Sequence, residues 1–175
     1  QAEGVERDQA LACLMANLRR AAEAFALLGI GVLCEAVNPL DMPDFLISTP
    51  EQLDELLRAV DHPNLHGQFD LYHMARQGLD IPAGIALLAG RIGHVQFADC
   101  PGRHEPGTGT LDFAAAIHAL RAAGYDRWLA AEYRPQFVVL PEIFTTQLMS
   151  FMDVSDVRRA VRELSAFTPR YIGLM

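Results

Sequence analysis

Four short apolar runs in this chain each end in or beside an oxygen-bearing side chain, and each gives way to a polar loop before the next helical stretch. Residues 30–34 close on Glu35 and residues 65–69 on Asp70. Residues 92–97 carry Gln96 near their end, and residues 128–131 close on Glu132. The intervals between these four residues are 35, 26 and 36 positions, each about the length of one βα unit. Such alternation predicts an α/β fold with parallel strands and right-handed crossovers. In a parallel sheet the C-terminal strand ends share one rim. Side chains far apart in sequence are thereby predicted to converge.

The helices between the runs are marked by their periodicity and their ends. Leu11, Leu14, Leu18, Ala21, Ala22, Phe25 and Leu28 recur at helical spacing over residues 6–28, and Gly29 suits the C-terminal cap. Thr49-Pro50-Glu51-Gln52 reads as a helix start, with Thr as N-cap, Pro at the first helical position and Gln at the third. That helix is expected to reach about Val60. Further helices are expected over residues 81–89 and from an Asp112 cap to Gly124. The Asp61-His62-Pro63-Asn64 segment reads as a turn, and residues 98–110 as a glycine-rich loop.

The 175 residues suffice for one domain of ordinary size, and half of them are hydrophobic. No apolar run approaches the roughly 18 residues of a membrane span. The formal charge of −8 argues against a nucleic-acid groove or an anionic membrane surface. Cys13, Cys34 and Cys100 are odd in number and lie in or beside apolar runs, which fits a reducing, cytoplasmic setting better than a disulfide framework. The chain starts at Gln1 and opens directly into a helix, as a fragment would.

Three carboxylates on a dry rim repel one another, so a proton, an arginine or a bound cation must offset the charge. Glu35, Asp70, Gln96 and Glu132 are all hard oxygen donors, which favours Mg²⁺ or Mn²⁺ over Zn²⁺. A divalent ion there would polarise a carbonyl and an adjacent hydroxyl. Two carboxylates flanking the substrate could then move a proton between neighbouring carbons through an enediolate. The competing expectation is that strand-end acids merely cap helices or hold loops.

Several stretches carry a resemblance. They are Asn17-Leu-Arg-Arg-Ala-Ala22, Cys34-Glu-Ala-Val-Asn-Pro39 with Asp41-Met-Pro43, Gln68-Phe-Asp-Leu-Tyr-His73, Gly93 to Gly109, and Glu132-Tyr-Arg-Pro135. Together, over residues 12–135, they resemble the C-terminal half of the hydroxypyruvate isomerase family, among the xylose isomerase-like TIM barrels. The resemblance implies a partial (β/α) barrel of about four units. It implies Glu35, Asp70, Gln96 and Glu132 as metal ligands, Glu35 and Glu132 as the acid/base pair, and His73 and Arg103 as holders of substrate oxygens. The implied reaction interconverts hydroxypyruvate and tartronate semialdehyde. Leu40, Asp44, Ala75 and Thr110 depart from the family pattern, where a basic residue, Gly, Gln and Glu are expected; these departures bear on substrate identity.

Other residues have plainer expectations. His94 reads as a core or supporting histidine, and His104 and Glu105 as loop-internal partners, Glu105 being a candidate brace for Arg103. Asn38 fits either the site or an Asx turn before Pro39. Trp128 and Tyr125 read as packing residues, and His62, His66 and His118 receive no role.

The expected division is a half-barrel over 1–135 and a strand-helix extension over 136–175. The extension resembles an N-terminal piece of the nitrilase superfamily, in which Glu142 matches a general base. The partner lysine and cysteine of that machinery do not follow it, so no amidase chemistry is expected. A four-stranded half-barrel leaves open edges, so a missing N-terminal half or a second copy is the expected partner, beside a small hydroxy-carbonyl substrate. Two alternatives accompany the isomerase expectation: a carbon-nitrogen hydrolase fragment joined to a barrel remnant, and a non-catalytic module pairing through its strand edges.

Overall fold

A computed structural model describes Gly4, residues 6–136 and residues 172–174 of the chain. The strands are β1 (Val32–Glu35), β2 (Leu65–Asp70), β3 (Ile92–Phe97), β4 (Leu129–Ala131) and β5 (Ile172–Leu174). They form one sheet in sequence order, and every neighbouring pair is parallel. The helices are α1 (Arg7–Ala26), α2 (Pro50–Val60), α3 (Leu71–Arg76), α4 (Ile81–Leu87) and α5 (Phe113–Ala122). The four expected strands are present. The expected strand and helix of the nitrilase-like extension, Glu142 included, lie outside the described residues; β5 is a strand the sequence did not announce.

Local chemistry explains the boundaries. Thr49 Oγ1 accepts from the Gln52 N–H at 3.3 Å and Pro50 opens α2. The Gln52 side chain reaches one residue further back than a capping box requires, accepting from the Ser48 N–H at 2.8 Å. The helix stops at Asp61, whose φ of 47° is left-handed. Asp112 caps α5 through the Ala115 N–H at 2.9 Å, and Asp80 caps α4 through the Ala83 N–H at 3.0 Å. Helix α3 was not foreseen. Its N-cap is Asp70, which accepts from the Tyr72 N–H at 2.8 Å, so this residue ends a strand and starts a helix with nothing between.

The core fills one side of the sheet. Leu65, Gly67 and Phe69 of β2 face the helices, alternating with His66, Gln68 and Asp70. A Cβ at Gly67 would lie 3.1 Å from Leu53 of α2, so its absence lets helix and sheet close together. On the other side, a Cβ at Gly93 would meet His66 and Leu33, which places those two neighbours on the face that carries the polar rim. Leu33 is 40% exposed, whereas Val95 and Leu129 are sealed. The outer edge of β1 is unpaired among the described residues, and a groove of about 540 Å³ lies beside it, lined in part by Leu14, Leu18, Leu33 and Phe45.

The glycine-rich loop after β3 is built on Asp99. Its Oδ1 accepts from the N–H groups of Cys100 (2.8 Å) and Leu111 (3.1 Å). Its Oδ2 accepts from Gly107 (2.7 Å) and Gly109 (2.9 Å). One buried carboxylate thus gathers both ends of a loop of a dozen residues. Gly109 has no room for a side chain, since a Cβ would fall 2.1 Å from the Cys100 carbonyl oxygen. Replacing Asp99→Ala removes the acceptor for four N–H groups. It is expected to cost about 3 kcal/mol of stability, read as a lower urea midpoint, with Arg103 released from its position; an unchanged midpoint would contradict this account of the loop.

Candidate active site at the strand C-termini

Glu35 is the last residue of β1 and Asp70 the last of β2; Gln96 precedes the last residue of β3 and is the register partner of Asp70. Glu132 follows β4 and extends its ladder, its N–H donating to the Phe97 carbonyl at 3.0 Å. All four stand on one rim, as parallel strands require. The structure adds Gln68, the register partner of Glu35. Its amide donates to Gln96 Oε1 at 2.5 Å. Sequence reasoning passed over Gln68 because it lies two residues before a strand end; its position on the same face as Asp70 was the available signal.

The four predicted ligands are not equally disposed. One donor atom each from Glu35, Asp70 and His73 lie within 4.8 Å of one another. Glu35 Oε1 and Asp70 Oδ2 are buried without any hydrogen-bond partner. His73 Nε2 stands 3.8 Å from the first and 3.7 Å from the second. Glu132 turns instead to Arg103, whose Nη2 donates to Glu132 Oε2 at 2.8 Å and lies 3.7 Å from Asp70 Oδ2. Arg103 therefore links Glu132 to the buried pair, and the Gln96 oxygen is taken up by Gln68. Glu35, Asp70 and His73 form the tight group; Gln96, Arg103 and Glu132 surround it.

Electrostatics follow from burial. The Glu35 carboxyl is pushed up to about 7, chiefly by burial and then by the Asp70 charge. Burial pushes Asp70 up to about 6, against the pull of the Tyr72 N–H and Arg103. Burial and the neighbouring Arg103 charge hold His73 down at about 4, so its ring is neutral. Two orphaned carboxylate oxygens facing one point fit a divalent cation: oxygen donors, excess negative charge, and no protein donor already in place.

Arg103 owes its place to the loop. Its φ of 55° is unusual for a residue with a side chain, and its guanidinium lies 5.0 Å over the Tyr72 ring. Its carbonyl accepts from the Arg134 N–H at 2.7 Å. Glu105, the expected alternative brace for Arg103, accepts instead from the Gln136 N–H at 3.1 Å, and His104 Nδ1 meets the Arg134 carbonyl at 2.7 Å. Both side chains reach out of the loop to tie down residues 134–136 after β4, rather than serving as loop-internal partners. His94 is half-buried. Tyr125 is buried as expected, and Trp128 is 47% exposed. Asn38 is fully buried and contacts His73, so it belongs to the site while also making the turn. Asp44 has a φ of 67°, the backbone state for which the expected glycine is suited.

A sheet of parallel strands with helices on one face defines part of a (β/α) barrel, and its polar cluster lies on the C-terminal rim, where such barrels carry their active sites. The chain belongs to the xylose isomerase-like TIM barrel family, whose profile matches residues 1–148. It is 35% identical over 133 residues to a 2-oxo-tetronate isomerase of Pectobacterium atrosepticum, covering 76% of this chain and 51% of that protein. It is also 35% identical to the hydroxypyruvate isomerase of Escherichia coli, covering 76% of this chain and 52% of that one. Among solved structures, a family 2 AP endonuclease from Brucella melitensis superposes with a TM-score of 0.73 at 35% identity, over 77% of this chain and 52% of its own. The chain spans about half the length of the curated relatives it matches. Among the described residues no helix is long and apolar enough to cross a membrane, and all three cysteines are free thiols.

The shifts of Glu35 and Asp70 set a pH dependence. Both bind their proton more tightly folded than unfolded, so their contribution to stability is whole below about pH 4. It is lost as pH rises through about 6 and about 7. With a chelator present, the denaturant midpoint is expected to fall between about pH 4 and pH 7. Glu35→Gln is expected to flatten that fall and to exceed the parent in stability at the alkaline end. A midpoint that climbs across this window would contradict the burial of the pair.

Proposed function

We propose that the full protein is a metal-dependent isomerase of small hydroxy-carbonyl acids, interconverting compounds of the hydroxypyruvate and tartronate semialdehyde type. The observation that carries it is the pair of unpartnered, buried carboxylate oxygens of Glu35 and Asp70 aimed at one point on the barrel rim. The relatives named as hydroxypyruvate and 2-oxo-tetronate isomerases support the substrate class.

Glu35, Asp70, Gln96 and Glu132 would hold the ion, and their oxygen-only chemistry suits Mg²⁺ or Mn²⁺. Bound there, such an ion supplies polarisation of the substrate carbonyl and neighbouring hydroxyl, which acidifies the C–H between them. Glu35 ends β1 and Glu132 follows β4, and on this reading the two flank the substrate. One takes the proton from the hydroxymethyl carbon to give an enediolate, and a proton is returned to the former carbonyl carbon. Arg103 holds Glu132 in place and has further N–H groups to receive a substrate carboxylate. His73, neutral and buried, offers a ring nitrogen to a substrate oxygen. The net charge of −8 sets the chain against a nucleic-acid backbone as partner.

Mn²⁺ titration of the full-length protein tests the ligand assignment, and turnover of hydroxypyruvate tests the chemistry. Glu35→Gln is expected to lose both metal binding and activity, and Glu132→Gln to lower kcat by about 10²–10⁴-fold. If both variants bind Mn²⁺ and turn over as the parent does, the site is not the one described.

A further inference from the structure

Asn38 has no exposed surface, and its amide orientation is fixed by its neighbours. The backbone N–H of Asp41 donates to Asn38 Oδ1 at 2.8 Å, and only an oxygen can receive it. Asn38 Nδ2 therefore points the other way, toward Asp41 Oδ2 at 3.2 Å and His73 Nδ1 at 2.6 Å. The Asp41 carboxylate is itself held by the Tyr72 hydroxyl at 2.5 Å and by Arg76 Nε at 3.2 Å. Both Asn38 N–H groups are thus committed, one of them to the His73 ring.

A donor at Nδ1 requires a lone pair there. We propose that Asn38 is a positioning residue that locks the His73 ring in its Nε2–H form, making His73 a hydrogen-bond donor in the site and denying it to the metal. This rests on the isomerase reading of the rim for its purpose, but not for its geometry. Metal-binding histidines donate their second ring N–H to a carboxylate, carbonyl or water, which leaves the ligating nitrogen bare. His73 has the opposite arrangement: its second nitrogen receives a proton donor, so the nitrogen facing the site keeps its hydrogen. That Nε2–H faces the orphaned oxygens of Glu35 and Asp70 from 3.8 and 3.7 Å. The spacing is too long for a direct hydrogen bond and leaves the donor available to a substrate oxygen. The proximity of His73 to two carboxylates, which by distance alone would qualify it as a third metal ligand, is on this account a feature of substrate binding.

Histidine-labelled ¹⁵N spectra of the full-length protein read the tautomer directly, with His73→Gln supplying the assignment. The expected spectrum shows a bare Nδ1 and a protonated Nε2, unchanged when Mg²⁺ is added to saturation. Asn38→Asp replaces the donor with an acceptor and is expected to move the proton to Nδ1. Asn38→Ala, which adds no charge beside Asp41, is expected to give a mixture of tautomers and to lower kcat about 10–100-fold with Mg²⁺ affinity unchanged. A protonated Nδ1 in the parent, or loss of the Nε2 proton on adding Mg²⁺, overturns the proposal. Should the parent show the expected tautomer yet turn over no hydroxy-carbonyl acid, the isomerase reading fails and the positioning role stands.

Discussion

Glu35 and Asp70 each bury one carboxylate oxygen without a hydrogen-bond partner. Bare charges in such a setting cost several kcal/mol each, so the surrounding residues are arranged to answer them. Arg103 brings a guanidinium to within 3.7 Å of Asp70. The backbone of α3 donates to the other Asp70 oxygen. What these leave unanswered appears as a Glu35 carboxyl raised to about 7. The remaining deficit is one that a proton or a cation can fill, and that is the condition under which a rim of acids becomes a metal site rather than a set of caps.

The positive charge reaches this place only because another carboxylate has folded the loop. Asp99 collects four backbone N–H groups from across the glycine-rich segment. Gly109 then packs against the Cys100 carbonyl where a methyl group could not fit. Arg103 sits inside the span that Asp99 closes, in a left-handed backbone state, with its guanidinium over Tyr72. Strained conformations persist where the surroundings over-determine them, and they gather at functional sites. Two acids therefore divide the work: Asp99 shapes the loop and Asp70 receives what the loop delivers.

The sequence made the parallel sheet legible because its signal is long-range and redundant: four apolar runs, four terminal oxygens, one spacing. Thr49, Asp112 and Gly124 were legible for a different reason, since caps and left-handed turns depend on chemistry within a few residues. Helix α3 was not. It is six residues long and begins on a residue already assigned to a strand, so no separate start signal exists. Asp99 and Gln68 were missed because their roles depend on which groups the fold brings around them. Asn38 could be read as a turn residue from Pro39 alone, but its hold on His73 spans 35 residues and appears only once β1 and β2 lie side by side.

The two orphaned carboxylates differ in exposure, and the difference follows their strands. Asp70, on a strand with neighbours on both sides, has a side chain 1% exposed, whereas that of Glu35, on the edge strand, is 25% exposed. Burial is the leading cause of the upward shift at both. Any strand laid against β1, whether from the same polypeptide or another, would remove water from Glu35 and raise the cost of its charge further. Closing that edge and binding a cation are therefore coupled: covering β1 strengthens the site's demand for positive charge, and a cation held by Glu35 lowers the cost of covering β1.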